Sequence, residues 1–213
     1  MAIELDTSQH KSRHIKRTAG VLVLKKKHPI MKKLKKKSPA PVIHGDKIWS
    51  SSYLIINHLA NNPIAKRSKV MEVGCGWGLL SVYCASAFNA KVTGIDADQN
   101  VLPYLKALST VNSVKVKAKK DRFQRIKKKT LAKQDLVVGG DICFWDKLTE
   151  HLYKLIKRSV KAGVKKIIIA DPGRTPFFKL AKRWAKKFGN TKLLESNIKW
   201  PEKVRGYLLI IEP

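Results

Sequence analysis

The chain has 213 residues, enough for one domain with a substantial hydrophobic core and an extension. Its 45 Lys and Arg residues against 15 Asp and Glu residues give a net charge of +30, which attracts polyanions. The three cysteines lack metal-ligand spacing, so we predict no metal site and no disulfide framework. No apolar run has the length of a membrane span or a secretory signal, so we expect a cytoplasmic protein with no membrane span.

Residues 1–40 are predicted to be a basic, flexible N-terminal extension. Eight lysines fall within residues 25–37, and blocks of like charge usually stay solvated. The same charge also suits an electrostatic tether to nucleic acid, a ribosome or an acidic partner. The segment 38–41, Ser-Pro-Ala-Pro, marks the predicted boundary with a folded domain over residues 41–213.

Beyond this boundary, helical and strand-like patterns alternate. A short helix with Ser50 as its N-cap is predicted within residues 44–61. Buried strands are predicted over residues 69–73, 91–95, 114–118, 136–139 and 165–170. Amphipathic or buried helices are predicted over residues 79–88, 100–111, 148–162 and 177–188. Two last strands, 192–198 and 206–211, have no helix between them and should form an antiparallel hairpin. The pattern predicts an α/β, Rossmann-like, doubly wound sheet that ends in this hairpin.

The most informative motif follows the first of these strands. Glu72 ends the strand, the turn Gly-x-Gly-x-Gly follows, and Asp96 ends the next strand. Glycines let the backbone lie flat against a ligand, and an acid at the second strand end can accept both ribose hydroxyls. The arrangement therefore predicts a site for an adenosine-bearing cofactor. A dinucleotide is disfavoured, because the third glycine comes one residue too early and Glu72 would repel a pyrophosphate.

This motif, Glu-x-Gly-x-Gly-x-Gly with Asp at the next strand end, resembles the S-adenosylmethionine site of the seven-stranded (class I) methyltransferases. The resemblance implies a seven-stranded sheet and S-adenosyl-L-methionine as the cofactor. It also implies that Glu72 faces the methionine part of the cofactor and that Asp121 or Phe123, after the third strand, contacts the adenine. The cofactor-binding residues implied by position are Trp49, Glu72, Gly74, Gly76, Gly78, Asp96, Asp121, Phe123 and Gly140.

The fourth strand delivers an acid and two aromatic residues to the expected ligand edge of the sheet. A carboxylate attracts an amine, and aromatic faces hold a cationic nitrogen. The spacing Asp141-x-x-Phe144 resembles the signature of the seven-stranded protein-lysine methyltransferases. The segment Asp171-Pro-Gly-Arg174 resembles the branch that acts on the electron transfer flavoprotein β subunit. The resemblance implies catalytic roles for Asp141, as the proton acceptor, and for Phe144.

Several alternatives stay open at this point. Asp141 could instead cap the helix that begins near Lys147, and Asp171 with Arg174 is expected to fix a loop through a turn and an ion pair. The favoured function is methylation of lysine side chains in an acidic protein or a ribonucleoprotein, with possible RNA contact through the basic surface. The alternatives are methylation of RNA or a small molecule, or RNA binding without catalysis by a protein of this fold.

Overall fold

A computed structural model describes residues 14–37, 39–43, 45, 47–187, 189–199 and 202–213. The predicted boundary residue Ser38 and the predicted helix end Phe188 lie outside them. The strands in chain order are β1 (Ile15–Thr18), β2 (Val21–Leu24), β3 (Lys69–Val73), β4 (Lys91–Asp96), β5 (Val116–Lys120), β6 (Leu136–Gly140), β7 (Lys166–Asp171), β8 (Thr191–Ile198) and β9 (Val204–Ile211). The helices are α1 (Pro29–Lys37), α2 (Ser51–Asn61), α3 (Leu79–Phe88), α4 (Leu102–Val111), α5 (Lys128–Leu131), α6 (Asp146–Lys161) and α7 (Thr175–Ala185), with a 3-10 turn at Gln99–Val101 before α4.

Seven strands form one sheet in the order β5-β4-β3-β6-β7-β9-β8. The first five are parallel, and β9 runs antiparallel to both β7 and β8. The predicted fold class, a doubly wound Rossmann-like sheet with a terminal antiparallel hairpin, is therefore confirmed. The strand order reverses between β3 and β6, and open α/β sheets bind ligands outside the carboxyl ends of the strands at such a point.

The sheet is covered on both faces because its central strands are apolar along their whole length. One core cluster joins α2 and α3 to the sheet, and the other joins α6 and α7 to the opposite face. The predicted inward face of α7 is confirmed: Phe177, Leu180, Ala181 and Trp184 are buried.

Two predicted boundaries differ from the observed ones. Strand β5 begins at Val116 because Val114 still closes the turn after α4, its N–H donating to the Ser109 carbonyl at 3.1 Å. Ser50 precedes α2 as predicted, but it has helical backbone angles and its side chain makes no capping bond. The cap of α2 is instead a carboxylate distant in sequence, described below.

Residues 15–37 contribute three elements that the sequence pattern did not indicate. Strands β1 and β2 form an antiparallel hairpin, and α1 follows it. Leu24 and Met31 are buried in a cluster with Trp77 and Tyr104, so the hairpin and α1 lie against α3 and α4. These residues were assigned to an extension outside the core, because the lysine content of the segment conceals its few apolar positions. The division of the chain at residue 40 stays a prediction.

Candidate active site

The glycine loop connects the end of β3 to the start of α3. Gly74, Gly76 and Gly78 all have positive φ, at 69°, 49° and 77°. A β-carbon on Gly78 would stand 2.0 Å from Leu105 Cδ1, so α4 can approach the loop only because this residue is glycine. A β-carbon on Gly76 would meet nothing within 4 Å. The loop therefore packs tightly against the fold on one side and leaves its Gly76 side open for a ligand.

Asp96, at the end of β4, is tied to this loop. Its Oδ2 accepts the Gly76 N–H at 2.9 Å, and its Oδ1 accepts the Asp98 N–H at 2.9 Å. Burial raises the pKa of Asp96 above its ordinary value, although these bonds counteract the shift. A carboxylate has about four acceptor sites, so two remain for ribose hydroxyls. The position and acceptor capacity of Asp96 fit the nucleoside part of S-adenosylmethionine.

Glu72 lies beneath the loop and is 2% exposed. Its Oε2 accepts both the Ser81 N–H at 2.9 Å and the Ser81 hydroxyl at 2.5 Å. Gly94 on β4 provides the room for this arrangement, because a β-carbon there would stand 3.2 Å from the Ser81 hydroxyl oxygen. Burial raises the pKa of Glu72 to about 8, against the effect of the Ser81 bonds. A cationic ligand close to this carboxyl would stabilise its ionised form.

The raised pKa of Glu72 predicts a pH-dependent stability. Between its ordinary pKa of 4.5 and about 8, the folded protein keeps a proton that the unfolded chain has lost. Stability should therefore fall as pH rises through this window. Glu72→Gln should flatten the dependence and make the ligand-free protein more stable than wild type above pH 8, by a few kcal/mol since one pKa unit is worth about 1.4 kcal/mol.

Thermal unfolding followed from pH 5 to pH 9 measures this effect. The exposed pair of Glu195 with Arg205 supplies the matched control, and Glu195→Gln should follow the wild-type curve. Parallel curves for wild type and Glu72→Gln would contradict the assigned cause.

The segment before α2 covers the glycine loop. Asp98 Oδ2 accepts the Val42 N–H at 2.6 Å, while its Oδ1 accepts the Asn100 N–H, which confirms its predicted role as a helix cap. Trp77 donates its indole N–H to the Gly45 carbonyl at 2.7 Å. The sequence analysis missed Trp77, although a large indole inside a glycine loop needs an acceptor for its N–H group.

The cleft between this segment and the glycine loop is lined by Lys47, Ile48, Trp49, Ser52, Gly74, Cys75, Gly76, Trp77, Gly78, Leu79 and Gly140. The lining brings together five of the predicted cofactor residues: Trp49, the three loop glycines and Gly140. Its enclosed volume is about 20 Å³, far smaller than a nucleoside. The residues fit S-adenosylmethionine in kind, and binding requires the segment over the loop to move outward.

Asp121 and Phe123 follow β5 beside the Asp96 strand end. The Asp121 N–H donates to the Asp96 carbonyl at 2.9 Å, and its carboxylate pairs with Lys119 at 2.7 Å. Phe123 packs against the core on the side of α6, where its carbonyl accepts a hydrogen bond from Arg158. Asp121 therefore lies next to the ribose-binding acid, and adenine contact by this pair stays a prediction.

Asp141 ends the fourth parallel strand in an ion-pair network. Its Oδ1 accepts from Arg174 Nη2 at 2.9 Å, and its Oδ2 accepts the Ser51 N–H at 2.9 Å. Asp171 accepts from Arg174 Nη1 at 2.8 Å and also from the N–H groups of Gly173 and Arg174. The predicted role of Asp171 and Arg174, which is to fix their loop by a turn and an ion pair, is confirmed.

The alternative role of Asp141 as the cap of α6 is wrong. Helix α6 begins at Asp146 after Trp145, which makes no side-chain capping bond. The Asp141 carboxylate instead binds the first N–H of α2, 90 residues away in sequence. Asp141 has φ +58°, a left-handed conformation that few residues adopt and that Asp tolerates better than most. Sequence spacing cannot detect a cap between elements that only the sheet brings together.

Three aromatic rings stand beside this network. Phe144 meets Trp49 edge-on at 5.6 Å between centroids and lies 5.7 Å from Trp145. The Arg174 guanidinium carbon lies 4.4 Å from the Phe144 centroid, and Lys47 Nζ lies 4.2 Å from the Trp49 centroid. The aromatic side of the cleft thus already accommodates two cations.

Two other features are unsuited to this chemistry. Cys143 is buried, and burial raises the pKa of its thiol well above the ordinary value, so it is a poor nucleophile. A larger cavity of about 790 Å³, lined in part by Arg67, Lys91 and Lys115, lies at the amino ends of β4 and β5. That is the edge opposite the one at which open parallel sheets bind their ligands.

Two searches of the described residues bear on other types of site. They contain no group of three or more His, Cys, Asp or Glu residues placed to hold a metal ion. Nor do they include a helix with the length and apolar character needed to cross a membrane.

Comparisons with known proteins agree with this geometry. Residues 70–163 match the family model described as a methyltransferase domain. No curated protein matches the chain. The fold resembles the tRNA (uracil-54, C5)-methyltransferase of Pyrococcus abyssi in complex with S-adenosyl-L-homocysteine, with 14% identity and a TM-score of 0.58. That alignment covers 92% of this chain and only 42% of the P. abyssi chain.

Two further structures resemble the chain in the same way. A methyltransferase from Pyrococcus furiosus is 15% identical with a TM-score of 0.57, over 81% of this chain and 92% of its own. TrmK from M. capricolum in complex with S-adenosyl-homocysteine is 16% identical with a TM-score of 0.52, over 73% of this chain and 66% of its own. At these identities the likeness concerns the fold. With the domain match, it defines the class: the chain carries a methyltransferase domain of class I, and its cofactor is S-adenosylmethionine.

Proposed function

We propose that this domain methylates lysine side chains of a protein. The observation that carries the proposal is Lys47, whose ammonium lies 4.2 Å from the Trp49 ring centroid in the cleft that Gly74, Gly76 and Gly140 also line. A lysine side chain is thus accommodated by the aromatic wall beside the cofactor loop. The ammonium of a substrate lysine would make the same cation–π contact after the covering segment moves.

The rings around this position suit a long aliphatic side chain with a charged end. Phe144 and Trp145 extend the aromatic wall from Trp49 toward solvent, and Trp145 is 46% exposed. Their faces can cover the methylene groups of lysine while the nitrogen reaches inward. Phe144 is therefore proposed to contact the substrate, as the resemblance implies.

The contacts of Asp141 favour a positioning role. Its two carboxylate oxygens bind Arg174 and the start of α2, and the side chain is 5% exposed. S-adenosylmethionine supplies an electrophilic methyl group, and in-line transfer needs alignment of the acceptor more than a strong base. Asp141 holds α2 and Arg174 in place around the aromatic wall, and its charge favours an approaching ammonium. The proton of the amine can then leave to water.

A second candidate is methylation of RNA, and the specific observation in its favour is the basic surface described below. The buried Cys143 disfavours the branch of RNA chemistry that needs a cysteine nucleophile. Methyl transfer to an exocyclic or ring nitrogen of a base stays compatible with the aromatic wall, because bases stack on such rings.

Labelling of a cell lysate with tritiated S-adenosylmethionine and the purified protein separates the two candidates. We expect the label to resist nuclease, to be released by protease and to be recovered as methyl-lysine after acid hydrolysis. Label released by nuclease would assign the function to RNA instead. The Asp96→Ala protein, which should hold the cofactor weakly, gives the background.

A further inference from the structure

The β1–β2 hairpin and α1 form a unit of a single charge sign. No acidic residue occurs between Thr7 and Gly45 of the sequence. All the basic side chains of residues 14–37 are exposed: Lys16, Arg17, Lys25, Lys26, Lys27, Lys32, Lys33, Lys35, Lys36 and Lys37. In α1 the buried Met31 and the half-buried Leu34 face the fold, so the lysines between and after them face solvent.

This basic unit is held firmly on the methyltransferase domain. The Asn112 side chain at the end of α4 accepts the Leu22 N–H at 2.7 Å and donates to the Leu22 carbonyl at 2.8 Å, as a neighbouring strand would. Trp77 of the glycine loop stacks on Tyr104 at 5.1 Å in the cluster that contains Met31. The lysines of α1 therefore have a fixed position relative to the cofactor loop.

A second basic segment lies close to the first. The chain after α1 returns to the 3-10 turn, where the Asn100 side chain donates to the Ala40 carbonyl at 3.3 Å. From the other side, Lys120 at the end of β5 donates to the Gln99 side chain at 3.1 Å. Arg122 and Arg125 follow and are exposed. Between Asp98 and Asp135 the sequence has one acid, Asp121, which is paired with Lys119.

We propose that these two segments form one docking surface for RNA, which binds the phosphate backbone beside the active site. We call it the basic band and define it as Lys32, Lys33, Lys35, Lys36, Lys120, Arg122 and Arg125. A row of solvated cations matches the repeated charge of a phosphate backbone, and release of condensed counterions drives such binding. An acidic protein would also need apolar anchors at its interface, and the apolar residues Met31 and Leu34 are already used within the fold.

The band goes beyond the lysine-methylation proposal and does not depend on it. If both hold, RNA on the band places a protein bound to that RNA near the aromatic wall, so the substrate is a ribonucleoprotein. If the methyl acceptor is RNA itself, the same surface positions it. Binding of RNA and transfer of methyl groups can be measured separately.

The test is fluorescence anisotropy of the full chain with a labelled single-stranded RNA of mixed sequence and about 20 nucleotides, between about 50 and 200 mM salt. The band variant replaces Lys32, Lys33, Lys35 and Lys36 with Gln. The matched control replaces Lys157, Lys182, Lys186 and Lys187 with Gln; these are exposed and lie on or just after α6 and α7, against the opposite face of the sheet. Both variants lose the same charge.

We expect the band variant to bind RNA at least tenfold more weakly, with a shallower salt dependence, and the control to stay within about threefold of wild type. A second variant at the other end of the band, Arg122→Gln with Arg125→Gln, should weaken binding in the same direction. Equal weakening by band and control variants would overturn the proposal, since net charge alone would then explain binding. Tighter binding of a polyglutamate peptide than of RNA to the same lysines would overturn it in favour of an acidic protein. Unchanged affinity for S-adenosylhomocysteine and unchanged thermal stability confirm that each variant is folded.

Discussion

Asp141→Ala is expected to lower the free energy of unfolding by about 2–3 kcal/mol and to reduce methyl transfer at least about 100-fold. Removing one partner of a buried ion pair usually costs about 3–5 kcal/mol, because the remaining charge is left uncompensated. Here Asp171 still pairs with Arg174, so we expect the lower part of that range or slightly less. Urea unfolding and a transfer assay on folded protein measure the two effects.

The reason for the large effect on transfer is positional. The mutation frees the start of α2 and the Arg174 guanidinium, which lies 4.4 Å from the Phe144 ring centroid. The aromatic wall then loses its fixed orientation, while the glycine loop and Asp96 keep their contacts. Affinity for S-adenosylhomocysteine should therefore stay within about threefold of wild type, a change below about 0.7 kcal/mol.

Two comparison variants separate the causes. Asp146→Ala removes an exposed acid that pairs with Lys179 only five residues away, and it should change stability by less than about 0.5 kcal/mol. Asp141→Asn keeps an acceptor for the Ser51 N–H and tolerates the left-handed backbone, but it removes the charge opposite Arg174. Normal turnover by Asp141→Ala would exclude any role of this residue in transfer.

The sheet could be predicted because each of its strands is locally recognisable. Continuous apolar runs at β3, β6 and β7 can only be buried on both faces, and the helices between them require parallel crossovers. The glycine loop was equally clear, because left-handed backbone at three alternate positions demands glycine. Local rules determine these features, so a single sequence contains them.

The parts that escaped prediction depend on contacts between distant segments. The bond from Ser51 to Asp141, the bond from Trp77 to Gly45, and the clamp of Asp98 on Val42 each join residues more than 30 positions apart. The hairpin and α1 escaped for another reason. Their lysines dominate every local average, and the apolar residues that hold them are buried only against Trp77 and Tyr104 of the main domain.

Asp96→Ala is expected to weaken binding of S-adenosylhomocysteine by about 1.5–3 kcal/mol, or roughly 10- to 150-fold. This is the scale of hydrogen bonds to a charged group, and the two free acceptor sites of Asp96 are proposed to take the ribose hydroxyls. Part of the loss should come from the loop itself, because Gly76 loses the acceptor of its N–H group. Isothermal titration calorimetry measures the affinity.

The control for charge is Asp135→Ala at the opposite edge of the sheet. Asp135 also accepts a strand N–H, that of Lys69 at 2.9 Å, and it pairs with Lys165. Its removal changes the net charge by the same amount, so an electrostatic effect on the cofactor at long range would appear in both variants. We expect Asp135→Ala to bind the cofactor product normally and Asp96→Asn, which keeps one acceptor oxygen, to lie between Asp96→Ala and wild type. Wild-type affinity in Asp96→Ala would place the ribose elsewhere, and the glycine loop would then be open on its Gly76 side for a different ligand.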